Sequence, residues 1–162
     1  MKTLTARFTE TTESALLTRP LVASGTIAVE RPSRVVLHYL KPELRDLLIE
    51  SDQLTMVWPG RGLRDVTNIA AANRRIQKYF INGSLSDLRS SFDIVDDGVN
   101  DRPKTHKVSM LPKRRQIREG ITRLELWLDP QAALLSAMRM TFPNGDTKLM
   151  EFEGTTLSLI HI

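Results

Sequence analysis

The strongest constraint in this chain is alternation. Between Thr3 and Trp58 five strand-like runs follow one another, four of them alternating apolar with polar residues, with no helical segment between them. Thr3 to Ser14 alternates around Phe8, a turn follows at Leu17 to Pro20, and two longer runs then meet at Arg31-Pro32. Leu47, Leu48 and Ile49 make a short apolar run, Ser51-Asp52 supplies turn chemistry, and Leu54, Met56 and Trp58 alternate with Thr55 and Val57 up to Pro59-Gly60. Parallel strands need long crossovers, usually helical, and none is available here. The runs therefore predict one large antiparallel sheet.

The same pattern puts an arginine in an unexpected place. Successive strand side chains point to opposite faces, so Gly25, Ile27, Val29 and Arg31 share one face and Thr26, Ala28 and Glu30 the other. Past Pro32, Val35, Leu37 and Tyr39 carry the apolar face onward, with Arg34, Val36 and His38 opposite. A guanidinium thus ends a row of apolar side chains.

From Thr67 the period changes. Ile69, Ala72, Ile76 and Phe80 recur at three- and four-residue spacing, with Asn73, Arg74, Gln77 and Lys78 off that face, which predicts an amphipathic helix ending near Asn82-Gly83. Ser84 is placed to cap a second short helix with Leu85, Leu88 and Phe92 as its apolar stripe. Asp93 to Pro103 reads as an acidic loop, but its spacing misses a calcium loop and lacks the bidentate glutamate. Strands are expected again at His106 to Leu111 and at Thr122 to Leu128, where Leu124, Leu126 and Leu128 oppose Arg123, Glu125 and Trp127. Leu134 to Phe142 and Thr147 to Phe152 form a hairpin around Pro143-Asn144-Gly145-Asp146, and Thr155 to Ile162 reads as a last strand.

The inventory of reactive chemistry is short. Cysteine is absent, which excludes disulfides, thiolate metal sites and cysteine nucleophiles. His38, His106 and His161 lie far apart with no ligand-spaced neighbour, so no metal site or histidine-based triad is expected. Gly60-Arg61-Gly62 lacks the lysine and third glycine of a phosphate loop, and no two carboxylates stand out as a catalytic pair. The reading is of a protein that is not an enzyme and needs no cofactor. At 162 residues the chain is about one domain long, with neither a secretory signal at MKTLTARF nor a membrane-spanning apolar run. Its net charge of +4 favours anionic partners. Lys113, Arg114, Arg115 and Arg118, and Arg74, Arg75 and Lys78, form basic clusters, but aromatic content is only 6%, so few stacking platforms accompany them. A nucleic-acid or polyanion-binding module is thus the rival class of function. If each strand's apolar face points inward, Met56, Met110, Met138, Met140 and Met150 all point inward, which suits either an adaptable apolar site or an ordinary core.

Several short stretches resemble one family. Arg7-Phe8-Thr9-Glu10-Thr11, Ser24-Gly25-Thr26 leading to Arg31-Pro32, Tyr39-Leu40-Lys41-Pro42 and the strands through Trp58-Pro59 are similar to the outer-membrane lipoprotein carrier (LolA-like) family. The helical insertion from Asn82-Gly83 to Phe92, the Leu111-Pro112-Lys113 corner and the closing hairpin fit the same pattern. The resemblance implies a mainly β (α+β) fold over residues 1–162 as a single domain. It would be an incomplete, strongly curved antiparallel β-barrel with a helical lid, about residues 67–92, over an apolar cavity.

It also implies a role for each group of residues. Arg31, before Pro32, would latch the lid by hydrogen bonding to its backbone. Ile27, Val29, Val35, Leu37, Leu54, Met56, Trp58, Met110, Leu126, Met138 and Met140 would wall the cavity, and Ile69, Ala72, Ile76, Phe80 and Leu88 would face it from the lid. The implied function is a periplasmic carrier of acylated protein or lipid, its export signal removed. It would be monomeric and in transient contact with membranes, moving between an inner-membrane donor and an outer-membrane acceptor protein. The chain departs from the family in having only Met1 to Ala6 before the Phe8 strand, in stopping at Ile162, and in carrying aliphatic Val35 and Leu37 at wall positions that can be aromatic. These departures make a carrier of glycolipid or another exported lipid the alternative.

Overall fold

The structure is a computed structural model and describes residues 2–30, 34–70, 85–98, 102–132 and 134–159. Eleven strands account for most of them: β1 (Lys2–Glu13), β2 (Leu21–Glu30), β3 (Arg34–Lys41), β4 (Arg45–Glu50), β5 (Gln53–Trp58), β6 (Leu63–Asn68), β7 (Phe92–Gly98), β8 (His106–Pro112), β9 (Arg123–Asp129), β10 (Leu134–Thr141) and β11 (Thr147–Leu159). Two short helices, α1 (Leu85–Ser91) and α2 (Arg115–Arg118), join them. The strands form one antiparallel sheet in the order β6-β5-β4-β3-β2-β1-β11-β10-β9-β8-β7. It does not close, because β6 and β7 each lack a second neighbour in that order. The large antiparallel sheet expected from alternation is present, and it is open, as the family resemblance implies.

The chain divides into two compact units. Unit 1 comprises residues 1–9, 22–76 and 152–162, and unit 2 comprises residues 10–21 and 77–151. In unit 1 the β2–β3 pair is fixed by a register shift between Ser24 and Gly25. Gly25 sits so close to β3 that a Cβ there would overlap the His38 carbonyl oxygen. Only glycine permits that approach, which gives the Ser24-Gly25-Thr26 segment a steric reason. In unit 2 the Asn144-Gly145 turn closes the β10–β11 hairpin, with Gly145 at φ 90° and Asn144 Oδ1 accepting from the Asp146 N–H at 3.0 Å.

Five sequence expectations need correction. Leu63–Asn68 is a strand, so Thr67 and Asn68 do not begin the helical lid. Every residue of β6 is exposed, and a polar edge strand leaves no alternating signature. Phe92 opens a strand and is 2% exposed, so it does not belong to the stripe of the second helix. The supposed loop after it is β7, whose acidic residues are used by its neighbours. Asp93 meets Lys113 at 3.5 Å, Asp96 meets His106 Nε2 at 2.5 Å, and Asp97 Oδ2 accepts from Ser109 Oγ at 2.5 Å. The tail is no separate strand, because β11 runs from Thr147 through Thr155 to Leu159, with Gly154 inside it at φ 63°. The basic run is partly helical, as α2, and Lys113 Nζ also donates to the Arg89 carbonyl at 2.8 Å.

Candidate functional site

Unit 1 gathers apolar side chains on one face. The register pairs Ile27 with Leu37, Val29 with Val35, Leu37 with Leu47, Val35 with Ile49, Leu47 with Met56 and Ile49 with Leu54. Directly opposed residues share a face, so Ile27, Val29, Val35, Leu37, Leu47, Ile49, Leu54 and Met56 lie together, with Trp58 in the same phase on β5. Leu37 is buried, whereas Ile27, Val29, Val35, Leu54, Met56 and Trp58 stay half-buried. The face is therefore apolar over four strands and only partly covered. Ile69 lies next to it in sequence, half-buried, its N–H donating to the Asp52 carbonyl at 2.7 Å. Arg31, Pro32, Ala72, Ile76 and Phe80 lie outside the described residues, and Leu88 is placed on α1.

The same face carries Tyr39, which alternation placed there, and Arg45, which it did not single out. Tyr39 is buried and meets Phe8 edge-on, ring centres 5.0 Å apart. Arg45 pairs with Tyr39 across β3 and β4, and its guanidinium carbon stands 4.0 Å from the Tyr39 ring centre. Arg45 Nε is buried with no hydrogen-bond partner among the described residues, so the tyrosine π-face is what meets this charge. A guanidinium on the apolar face is thus a feature of this sheet at Arg45. The phase of Arg45, Leu47 and Ile49 was the available signal for it.

Unit 2 has two faces of different character. Leu126 opposes Met138 and Val108, and Leu124 opposes Met140 and Met110, so Met110, Leu126, Met138 and Met140 share one face. Met110 is buried and the other three are half-buried. The opposite face holds Lys107, Glu125, Trp127, Ala137 and Arg139, with Trp127 5% and Glu125 3% exposed. A one-residue bulge between Leu135 and Ala137 decides this arrangement. It slips the register so that Arg139 opposes Glu125 and the methionines oppose leucines.

Glu125 is the hub of that second face. Arg139 grips it with two parallel hydrogen bonds, Nε to Oε1 and Nη2 to Oε2, both 2.8 Å. Lys107 Nζ adds a contact of 2.8 Å, and Arg123 Nε lies at 3.8 Å. Burial alone would raise the Glu125 pKa, but the hydrogen bonds from Arg139 and Lys107 and their charges outweigh it and lower it from 4.5 to about 2. Among the described residues no group of three or more histidines and carboxylates is placed to hold a metal ion.

The sequence matches the profile of one family, "Outer membrane lipoprotein carrier protein LolA", over residues 1–158. The chain belongs to the LolA family. Solved structures share its fold at low identity. An uncharacterised conserved protein from Thermus thermophilus aligns with a TM-score of 0.61 at 8% identity, over 98% of this chain and 80% of that one. The MucA/MucB complex from Pseudomonas aeruginosa aligns with a TM-score of 0.55 at 12% identity. That match spans all of this chain and 54% of the other, so this chain covers about half its length. No curated protein matches the sequence as a relative. The LolA family is a carrier or binding fold. Among the described residues no helix is long and apolar enough to cross a membrane.

Proposed function

We propose that this protein is a periplasmic carrier that shelters the acyl chains of a lipoprotein or another lipidated cargo against the β2–β5 face and ferries it between inner and outer membrane. The observation that carries this reading is the register that puts Ile27, Val29, Val35, Leu37, Leu54, Met56 and Trp58 on one face and leaves six of the seven half-buried. A sealed core would bury such a row, whereas an acyl site needs it within reach of a ligand.

The energetics set how such a carrier works. Burying a methylene gains about 0.8 kcal/mol relative to water, so a dozen give on the order of 10 kcal/mol. A membrane shelters the chain about as well, so net transfer is near neutral and small contacts decide loading against release. Arg31 acts as such a contact, latching lid residues Ile69, Ala72, Ile76, Phe80 and Leu88. Charged hydrogen bonds of about 1.5–3 kcal/mol hold a lid and still let it reopen. The whole chain, residues 1–162, works as one domain and one monomer, with an inner-membrane donor protein and an outer-membrane acceptor protein. The MucA/MucB complex supports a protein-partner role for this fold. A glycolipid or other exported lipid is the alternative cargo.

Displacement of a fluorescent fatty-acyl probe tests the reading. The wild type binds the probe and releases it to competing acylated cargo, and Arg31→Leu changes the release rate while leaving the melting temperature in place. Absence of probe binding by folded wild type overturns the carrier reading. An unchanged release rate in Arg31→Leu removes the latch alone.

A further inference from the structure

The charged face of unit 2 encloses a site that acyl carriage does not use. A cavity of about 350 Å³ opens there, lined by Arg102, Pro103, Trp127, Arg139 and Leu149. Three cations crowd the Trp127 ring, with Arg102, Lys107 and Arg139 at 5.6, 5.2 and 5.4 Å from its centre. The carboxylates that hold these cations stand outside the lining. Glu125 takes the Nε and Nη2 edge of Arg139, and Glu151 accepts from Arg102 Nη2 at 2.8 Å. Among the described residues, the charged groups lining the cavity are both guanidiniums.

This geometry is pre-organised. Each guanidinium is oriented by a carboxylate before any ligand arrives, so little rotamer freedom remains to be lost on binding. The low pKa of Glu125 keeps it ionised and holding Arg139 at any pH near neutrality. The wall between the two arginines is the flat Trp127, which is 5% exposed and so belongs to a rigid floor. Glu125 holds one fork of Arg139 and Glu151 one nitrogen of Arg102, and the two guanidinium charges on one cavity favour a group with more than one negative charge and more than two acceptor oxygens, a phosphate over a single carboxylate. The volume is at the small end of ligand pockets, large enough for a phosphate with a modest apolar or planar body beside it.

We propose that this cavity binds a phosphate group, held by Arg102 and Arg139 against the Trp127 ring. The phosphate is either that of a soluble ester or the headgroup of a phospholipid. The site lies on the face of β8, β9 and β10 opposite Met110, Leu126, Met138 and Met140, so it stands independently of acyl carriage.

Trp127 reports on its own site. The chain has two tryptophans, and replacing Trp58 with Phe leaves emission from Trp127 alone. That variant is titrated with inorganic phosphate, with short-chain phosphatidic acid below its micelle concentration, and with phosphatidylcholine vesicles with and without phosphatidic acid. The expected result is a saturable emission change that weakens as salt rises and shifts about tenfold or more in affinity in Arg102→Gln. Arg102→Lys, which keeps the charge and loses the fork, falls between them and covers the case of a misfolded Gln variant. A response to inorganic phosphate supports the site with free phosphate as its source, and a response to phosphatidic acid only supports it with a lipid headgroup. No saturable response to any of them, or one that folded Arg102→Gln and Arg102→Lys both leave unchanged, overturns it.

Discussion

The apolar face of unit 1 and the charged face of unit 2 are built from similar antiparallel pairs and carry opposite chemistry. On β2 to β5, cross-strand pairing brings valine, isoleucine, leucine and methionine together and leaves most of them half-buried. On β8 to β10, it brings Glu125, Arg139 and Lys107 together and saturates the carboxylate. An apolar surface has no hydrogen bonds to satisfy and can exchange one apolar neighbour for another. A buried ion network cannot, because removing any member strands a charge. The first face can therefore serve a changing ligand, and the second fixes the sheet.

The comparison breaks most visibly at Glu125. Replacing it with Ala leaves Arg139 and Lys107 without their shared acceptor, and the expected loss is about 3–5 kcal/mol in chemical unfolding, enough to unfold a marginal protein. A loss under about 1 kcal/mol would mean that the network is no more structural than an exposed ion pair. Acid probes the same group without mutation. Its folded pKa is depressed, so the stabilisation is complete above about 4.5 and drains away as pH falls toward about 2. The shift corresponds to roughly 3 kcal/mol, read as the difference in acid unfolding between wild type and Glu125→Gln, whose stability is flatter across that window.

Unit 1 has its own rigid point at Gly25. Gly25→Ala puts a methyl against the His38 carbonyl, and the β2–β3 pair must separate or slip to admit it. The expected cost is about 1–3 kcal/mol, the range for overpacking. Amide exchange should quicken around Thr26 and His38. If exchange is unchanged there, the close approach does not set the register.

How much of this was legible in the sequence depends on whether a feature needs register. The shared face of Ile27, Val29, Val35 and Leu37 follows from phase within single strands, so alternation alone placed it. The division of β9 into leucines against Arg123, Glu125 and Trp127 followed the same way. The partner of Glu125 did not, because without the bulge near Ser136 it would face Met138 instead of Arg139, and nothing in the local sequence announces that extra residue. β6 and β7 were missed for a related reason. Both are edge strands rich in polar residues, and β7 pairs its aspartates with Lys113, His106 and Ser109, so neither shows the sustained apolar alternation by which a strand is recognised.

The smallest expected change in stability is also the sharpest test of the contrast. Val29 and Val35 are cross-strand partners on the apolar face, both half-buried. Val to Thr nearly conserves shape while adding a hydroxyl, so the double substitution Val29→Thr and Val35→Thr changes the surface more than the packing. Each hydroxyl at a half-wet position can keep water as a partner, and the summed cost to stability should stay below about 1 kcal/mol. An acyl chain laid over the pair would displace that water without replacing its hydrogen bonds, so probe affinity should fall about tenfold. A loss of stability well above 1 kcal/mol with unchanged probe binding would reverse the assignment. The β2–β5 face would then be the committed core, and the ligand site would have to be sought on another face of the sheet.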